Sequence, residues 1–207
     1  SPTEFRNWND LAPEVAVGMA GAPGHQAATL NPDGSRRDRA RGGYGRFPTM
    51  GGFDQMTARL GGFWDSMLGE GRRWWITANS DSHIHWIEGA SDFWPGEYSK
   101  TYVWAEKNHD DILDGLRHGR IFVTLGDLIS ELYVRAAVDG AKQRAAIGGT
   151  LKVASGADVV VEIRFRDPDR SNARGDNPKV ARVDLIAGRV TGPAGRDADI
   201  NESTRVE

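Results

Sequence analysis

In the segment ITANSDSHIHW, residues 76–86, an aspartate and two histidines follow a short apolar run at alternate positions. If that run is a strand, Asp81, His83 and His85 project to one side, because side chains alternate across a strand with period two. Carboxylate plus imidazole is a donor set for Zn, Mn or Fe, and an ion with an open position makes hydroxide available near neutral pH. The same residues also fit a plain turn, with Asp81 capping it and the histidines bonding nearby backbone. His25, in the Gly- and Pro-marked loop GAPGHQ, follows a second apolar run and is a further candidate ligand. His109 and His118 fall on a helical segment and read as solvated, with His118 near the negative pole of that helix.

Other polar groups near the motif read first as surface. Glu88, Asp92 and Glu97 are loop acids, and Trp86 and Trp94 flank the motif among seven tryptophans otherwise expected in the core. The cluster Arg36, Arg37, Arg39 and Arg41 suits a solvated loop better than a phosphate site. No Walker-type phosphate loop, GxSxG elbow or HExxH pair occurs. With no cysteine in the chain, thiolate metal sites and disulfides are excluded, so any metal must use His, carboxylate, carbonyl or water.

The elements that would position these groups can be read along the chain. EVAVGMA is a short apolar run suited to a buried parallel strand. Residues 27–51, rich in Gly and Arg, read as a long loop. Phe53, Met56, Leu60, Trp64, Met67 and Leu68 recur at helical spacing, with Gly61 and Gly62 marking a break. RRWWITA is a strand leading into the motif, and KTYVWA another. NHDDILDGLRHGR carries helix punctuation: Asn108 at the N-cap, Asp110 and Asp111 in the first turn, Gly119 past the end. RIFVT is a further strand. From about residue 130, ELYVRAAV, DVVVEIRF and ARVDLIAG are strand-like and separated by turn-rich stretches. A small β-sandwich-like module is expected there.

The chain has 207 residues, 39% hydrophobic and 27% charged, as in ordinary globular proteins. A net charge of −3, from 26 basic against 29 acidic residues, gives no electrostatic case for nucleic acid. No apolar run approaches the roughly 20 residues of a membrane span. The opening SPTEF, without an initiator Met, and the closing NESTRVE lead to the expectation of a fragment of a longer protein, with compartment unspecified.

The segment ITANSDSHIHW resembles the last metal-binding motif of the PHP (polymerase and histidinol phosphatase) superfamily, a strand ending in SDxH. GEYSKTYVWAEKNHDDILDGLRHGRIFVTLGD is similar to the stretch downstream of that motif in the CehA/McbA-like branch, where a Y-x-x-T-Y-V strand precedes a helix and a G-R-x-[FY]-V-T-x-G strand. GGFDQMTARLGGFWDSMLGEGRRWWITANSDSH resembles the helix and strand leading into the site. The resemblance covers roughly residues 10–130.

It implies an α/β fold, with residues 1–130 the carboxy-terminal portion of a distorted (β/α)7 barrel and residues 131–207 a truncated β-rich accessory module. It implies a cluster of two or three Mn, Zn or Fe ions, with Asp81 and His83 matching the last ligands and His25 an earlier single-histidine motif. His85 has no counterpart. The implied activity is hydrolysis of a small-molecule substrate, foremost a phosphate ester, by metal-activated hydroxide. Amide or carbamate hydrolysis at the same site is the alternative, as is a non-catalytic remnant whose β-module binds a partner. The family's amino-terminal HxH and its intervening His and Glu ligands have no match, so this chain alone is expected to be inactive.

Overall fold

Trp74, Met67 and Phe63 are the most deeply buried large apolar side chains, and the first elements of the chain are arranged around them. The computed structural model describes residues 2–23, 49–81, 94–173, 175–195, 198, 200–201 and 204–207. Helix α1 (Pro2–Leu11) lays Phe5 against Phe63 and Trp74, with ring centroids 5.6 Å apart in both pairs. Phe5, Trp8 and Leu11 recur at three-residue spacing, yet Phe5 packs on the core while Trp8 and Leu11 are exposed. What it buries is Arg6 and Asn9. Arg6 donates from Nε to Glu70 Oε1 (3.0 Å), and Arg72 Nε reaches Glu70 Oε2 (2.8 Å), so two cations share one carboxylate whose side chain is 1% exposed. Burial alone would pull Arg72 down, but hydrogen bonds to Asp10 and Glu70 outweigh it and hold the guanidinium above the ordinary arginine value.

Strand β1 (Gly18–Pro23) continues the apolar run of residues 14–20. Helices α2 (Gln55–Ala58) and α3 (Phe63–Gly69) replace one continuous helix, and the break falls where the two glycines stand. Arg59 turns extended (ψ 120°) and ends α2, Gly61 then adopts φ +70°, and Gly62 becomes the N-cap of α3. Strand β2 (Trp75–Asn79) runs parallel to β1.

Strand β3 (Ser99–Val103) and strand β4 (Ile121–Leu125) pair antiparallel, with the α4 helix (His109–Arg117) connecting them. Asn108 Oδ1 accepts from Asp111 N–H (2.9 Å), the cap its sequence position suggests. Gly119 takes φ +66°, and a Cβ there would lie 2.7 Å from the Trp75 indole. Glycine thus both ends α4 and lets it dock on β2, where Trp75 Nε1 donates to the Arg117 carbonyl (3.1 Å). Beyond them, β5 (Glu131–Val138) lies between β6 (Arg144–Ala146) and β7 (Val159–Arg166) in an antiparallel sheet.

This arrangement corrects the expected (β/α)7 barrel. A barrel of βα units needs parallel strands at each step, yet β3 and β4 run antiparallel with α4 between them. Among the described residues there are three small sheets and no closed barrel. The sandwich expectation is corrected as well. The segment ARVDLIAG forms no ladder strand, only a bridge between Gly188 and Val206, and Val183 and Leu185 are exposed. One three-stranded sheet stands there without a described second layer.

Candidate metal centre

The parallel ladder of β1 and β2 sets the geometry at the motif. Gly18 registers on Trp75, Met19 on Ile76, Ala20 on Thr77, and after a bulge Ala22 on Ala78 and Pro23 on Asn79. A Cβ on Gly18 would lie 2.3 Å from the Trp75 carbonyl oxygen, so the close approach at the start of the ladder requires glycine. At the far end, Asp54 N–H donates to the Gly21 carbonyl (2.8 Å), while Asp54 Oδ1 caps α2 through Met56 N–H (2.7 Å).

On its other side β2 is held by Thr101 of β3. Thr101 Oγ1 accepts from Ala78 N–H (2.8 Å) and donates to the Ala78 carbonyl (3.1 Å), occupying both backbone groups of that residue. The last residues of β2 are therefore fixed from both flanks. Thr101 is the threonine of the Y-x-x-T-Y-V stretch, and nothing in its local sequence announces this clamp.

Asp81 follows the end of β2 by two residues and has φ +48°. Aspartate tolerates this left-handed region better than most residues, yet a non-glycine there is uncommon and concentrates at functional positions. Asp81 thus stands at the carboxyl end of a parallel ladder, where α/β sheets gather their sites. His25, His83 and His85 lie outside the described residues, as do Trp86, Glu88, Asp92 and the four clustered arginines. In sequence, His25 follows Pro23 by two residues as Asp81 follows Asn79, and Pro23 and Asn79 are registered on one another.

The remaining named residues serve local structure. His109 begins α4 and is exposed, and His118 is its C-cap, with Nδ1 3.0 Å from Asp114 Oδ1. Glu97 Oε2 accepts from Trp94 N–H (2.8 Å), closing a turn. Asp114 is held below the ordinary carboxylate value, chiefly by its hydrogen bond from Arg120 (2.6 Å).

A second aspartate with positive φ carries no signal in the sequence. Asp127 (φ +55°), just after β4, pairs with Lys100 Nζ and lies 3.8 Å from Arg170. Its neighbour Gly126 accepts from Asn172 Nδ2 (2.9 Å), so this corner ties the β3–β4 pair to the loop after β7. Two cations neutralise it, which makes it a structural corner. Among the described residues no group of three His, Cys, Asp or Glu side chains could hold a metal. By donor type, Asp81 with the undescribed histidines fits a borderline divalent ion. Comparison with protein-family models, with curated proteins and with solved structures gives no match to this chain.

Proposed function

We propose that the chain contributes Asp81, His83 and His25 to the divalent-metal site of a hydrolase, foremost a phosphoesterase. One observation carries the reading: the β1–β2 register pairs Pro23 with Asn79, and a candidate ligand follows each of them by two residues. The SDxH spacing and the positive φ of Asp81 add to it. The proposal rests on ligand positions and not on a barrel.

Asp81 would supply a charged oxygen donor, and His25 and His83 neutral imidazole nitrogens. Thr101 and Asp54 act as positioning residues by fixing the strand ends that the candidate ligands follow in sequence. When bound, Mn, Zn or Fe supplies a nucleophile at neutral pH and a counter-charge for the substrate's developing oxyanion. Three candidate ligands are fewer than a two- or three-metal site needs, so the remaining donors would come from residues outside this sequence. Ligand identity does not choose between a phosphate ester and an amide or carbamate.

The test is hydrolysis of a panel of phosphomonoesters, phosphodiesters, amides and carbamates by the protein in its full natural length, supplied with Mn, Zn or Fe. Phosphoester turnover that Asp81→Ala abolishes is the expected result. Turnover that survives Asp81→Ala removes that residue from the site.

A further inference from the structure

Just past the end of β3, the Trp104 side chain packs on Tyr133 of β5, and the two rings together form one wall of a cleft. The Trp104 ring lies 4.9 Å from the Tyr133 ring at 58°, and Trp104 is 42% exposed. Tyr133 is stiffened from a second side, because Arg164, registered opposite it on β7, stacks its guanidinium 4.4 Å from the ring centroid. Val134, Ala146 and Ile147 complete an apolar floor, and Arg120 and Arg135 stand at the rim of a cavity of about 290 Å³. A cavity of about 150 Å³ suffices for benzene, so a substituted six-membered ring fits.

The two arginines differ in what they offer. Arg120 is committed: its Nη1 donates to Asp114 (2.6 Å), its Nη2 to Asp111 (2.9 Å) and its Nε to the Trp104 carbonyl (3.2 Å). It braces the cleft and carries no spare charge. Among the described residues no hydrogen bond or ion pair engages the Arg135 guanidinium, and Arg135 is exposed. Glu162 is registered opposite Arg135 and is its one competing carboxylate on β7. A planar fork beside an aromatic wall suits a carboxylate, which Arg binds through two parallel hydrogen bonds.

A Cβ on Gly148 would lie 2.5 Å from the His118 carbonyl oxygen, so the turn after β6 seats directly on the end of α4. We propose that this cleft binds a six-membered ring bearing a carboxylate, with Trp104 and Tyr133 contacting the ring and Arg135 taking the carboxylate. The site is independent of the proposed metal centre. Two sources share this chemistry, an aromatic acid and a uronic acid.

The experiment is calorimetric titration of the full chain with benzoate and with glucuronate, with acetate and glucose as probes lacking the ring or the carboxylate. The indole N–H resonance of Trp104, assigned through Trp104→Phe, reports the location. Binding of benzoate above glucuronate identifies an aromatic acid as the ligand, and the reverse a sugar acid. Acetate and glucose bind neither way. Arg135→Gln should weaken the preferred probe by about tenfold or more, from the worth of a hydrogen bond to a charged group. Arg135→Lys should fall between, and Glu162→Gln should tighten binding. Failure of both ring acids to shift the Trp104 resonance overturns the proposal, as does an affinity that Arg135→Gln leaves unchanged.

Discussion

Residues 2–81 join groups 64 positions apart, whereas the strand pairs within residues 94–166 join groups 35 positions apart or fewer. In the first region, Phe5 of α1 packs on Phe63 and Trp74, and Arg6 meets Glu70 across 64 positions. Its strands are parallel, which requires a long connection between them. In the second, Tyr102 stacks flat on its registered partner Phe122 (4.6 Å), Asn108 caps its own helix, and Glu131 pairs with Arg166 directly opposite. The difference teaches where function can be sought. The long-range region holds the ladder end with the candidate ligands, and the local region presents exposed aromatic and cationic groups on a finished surface.

The sharpest way to break this contrast is to empty the first core. Trp74→Ala should cost about 3–5 kcal/mol, the range for large aromatic truncations in cores, and lower the denaturation midpoint accordingly. Tyr133→Ala, at a half-buried position, should cost clearly less. Equal losses would mean that the two regions do not differ in the way described.

Next in size is the buried ion triad. Glu70→Gln leaves the Arg6 guanidinium buried beside a neutral partner, which should cost about 3 kcal/mol. The loss should be nearly independent of salt, because a buried pair is little screened. Thermal melts at low and high ionic strength check this. Asn108→Ala removes only one cap and should cost about 1 kcal/mol, read as an earlier melting of α4 by circular dichroism.

The smallest effect concerns acid. The hydrogen bond from Arg120 holds Asp114 below its ordinary value, so ionised Asp114 favours the folded state. That contribution is fully present above the ordinary carboxylate value and is lost as pH falls through the lower folded one. Asp114→Asn should flatten the acid limb of stability against pH, slightly, because the group is exposed to solvent.

The same contrast explains how much could be read in the sequence. The caps of α4, the glycine stop at Gly119, the break at Gly61–Gly62 and strands β3, β4, β5 and β7 were legible, because each is written in adjacent residues. Helix α1 was not, since its most buried positions are an arginine and an asparagine, whose partners Glu70 and Arg73 lie 64 residues away in the chain. The barrel expectation failed because strand-like segments do not reveal direction: β3 and β4 read like the strands of βα units and pair antiparallel. ARVDLIAG has strand composition, yet without a ladder partner composition does not make a strand. At the candidate site, Asp81 was legible by spacing, while the Thr101 clamp depends on a side chain from another element.

The most direct test of the central claim is the metal content of the protein in its full natural length, as wild type, Asp81→Ala and His83→Ala. Stoichiometric Mn, Fe or Zn in the wild type, reduced in both variants while thermal melts show them folded, is the predicted result. Metal at background in the wild type, or a content that neither variant lowers, would contradict the assignment of these residues as ligands.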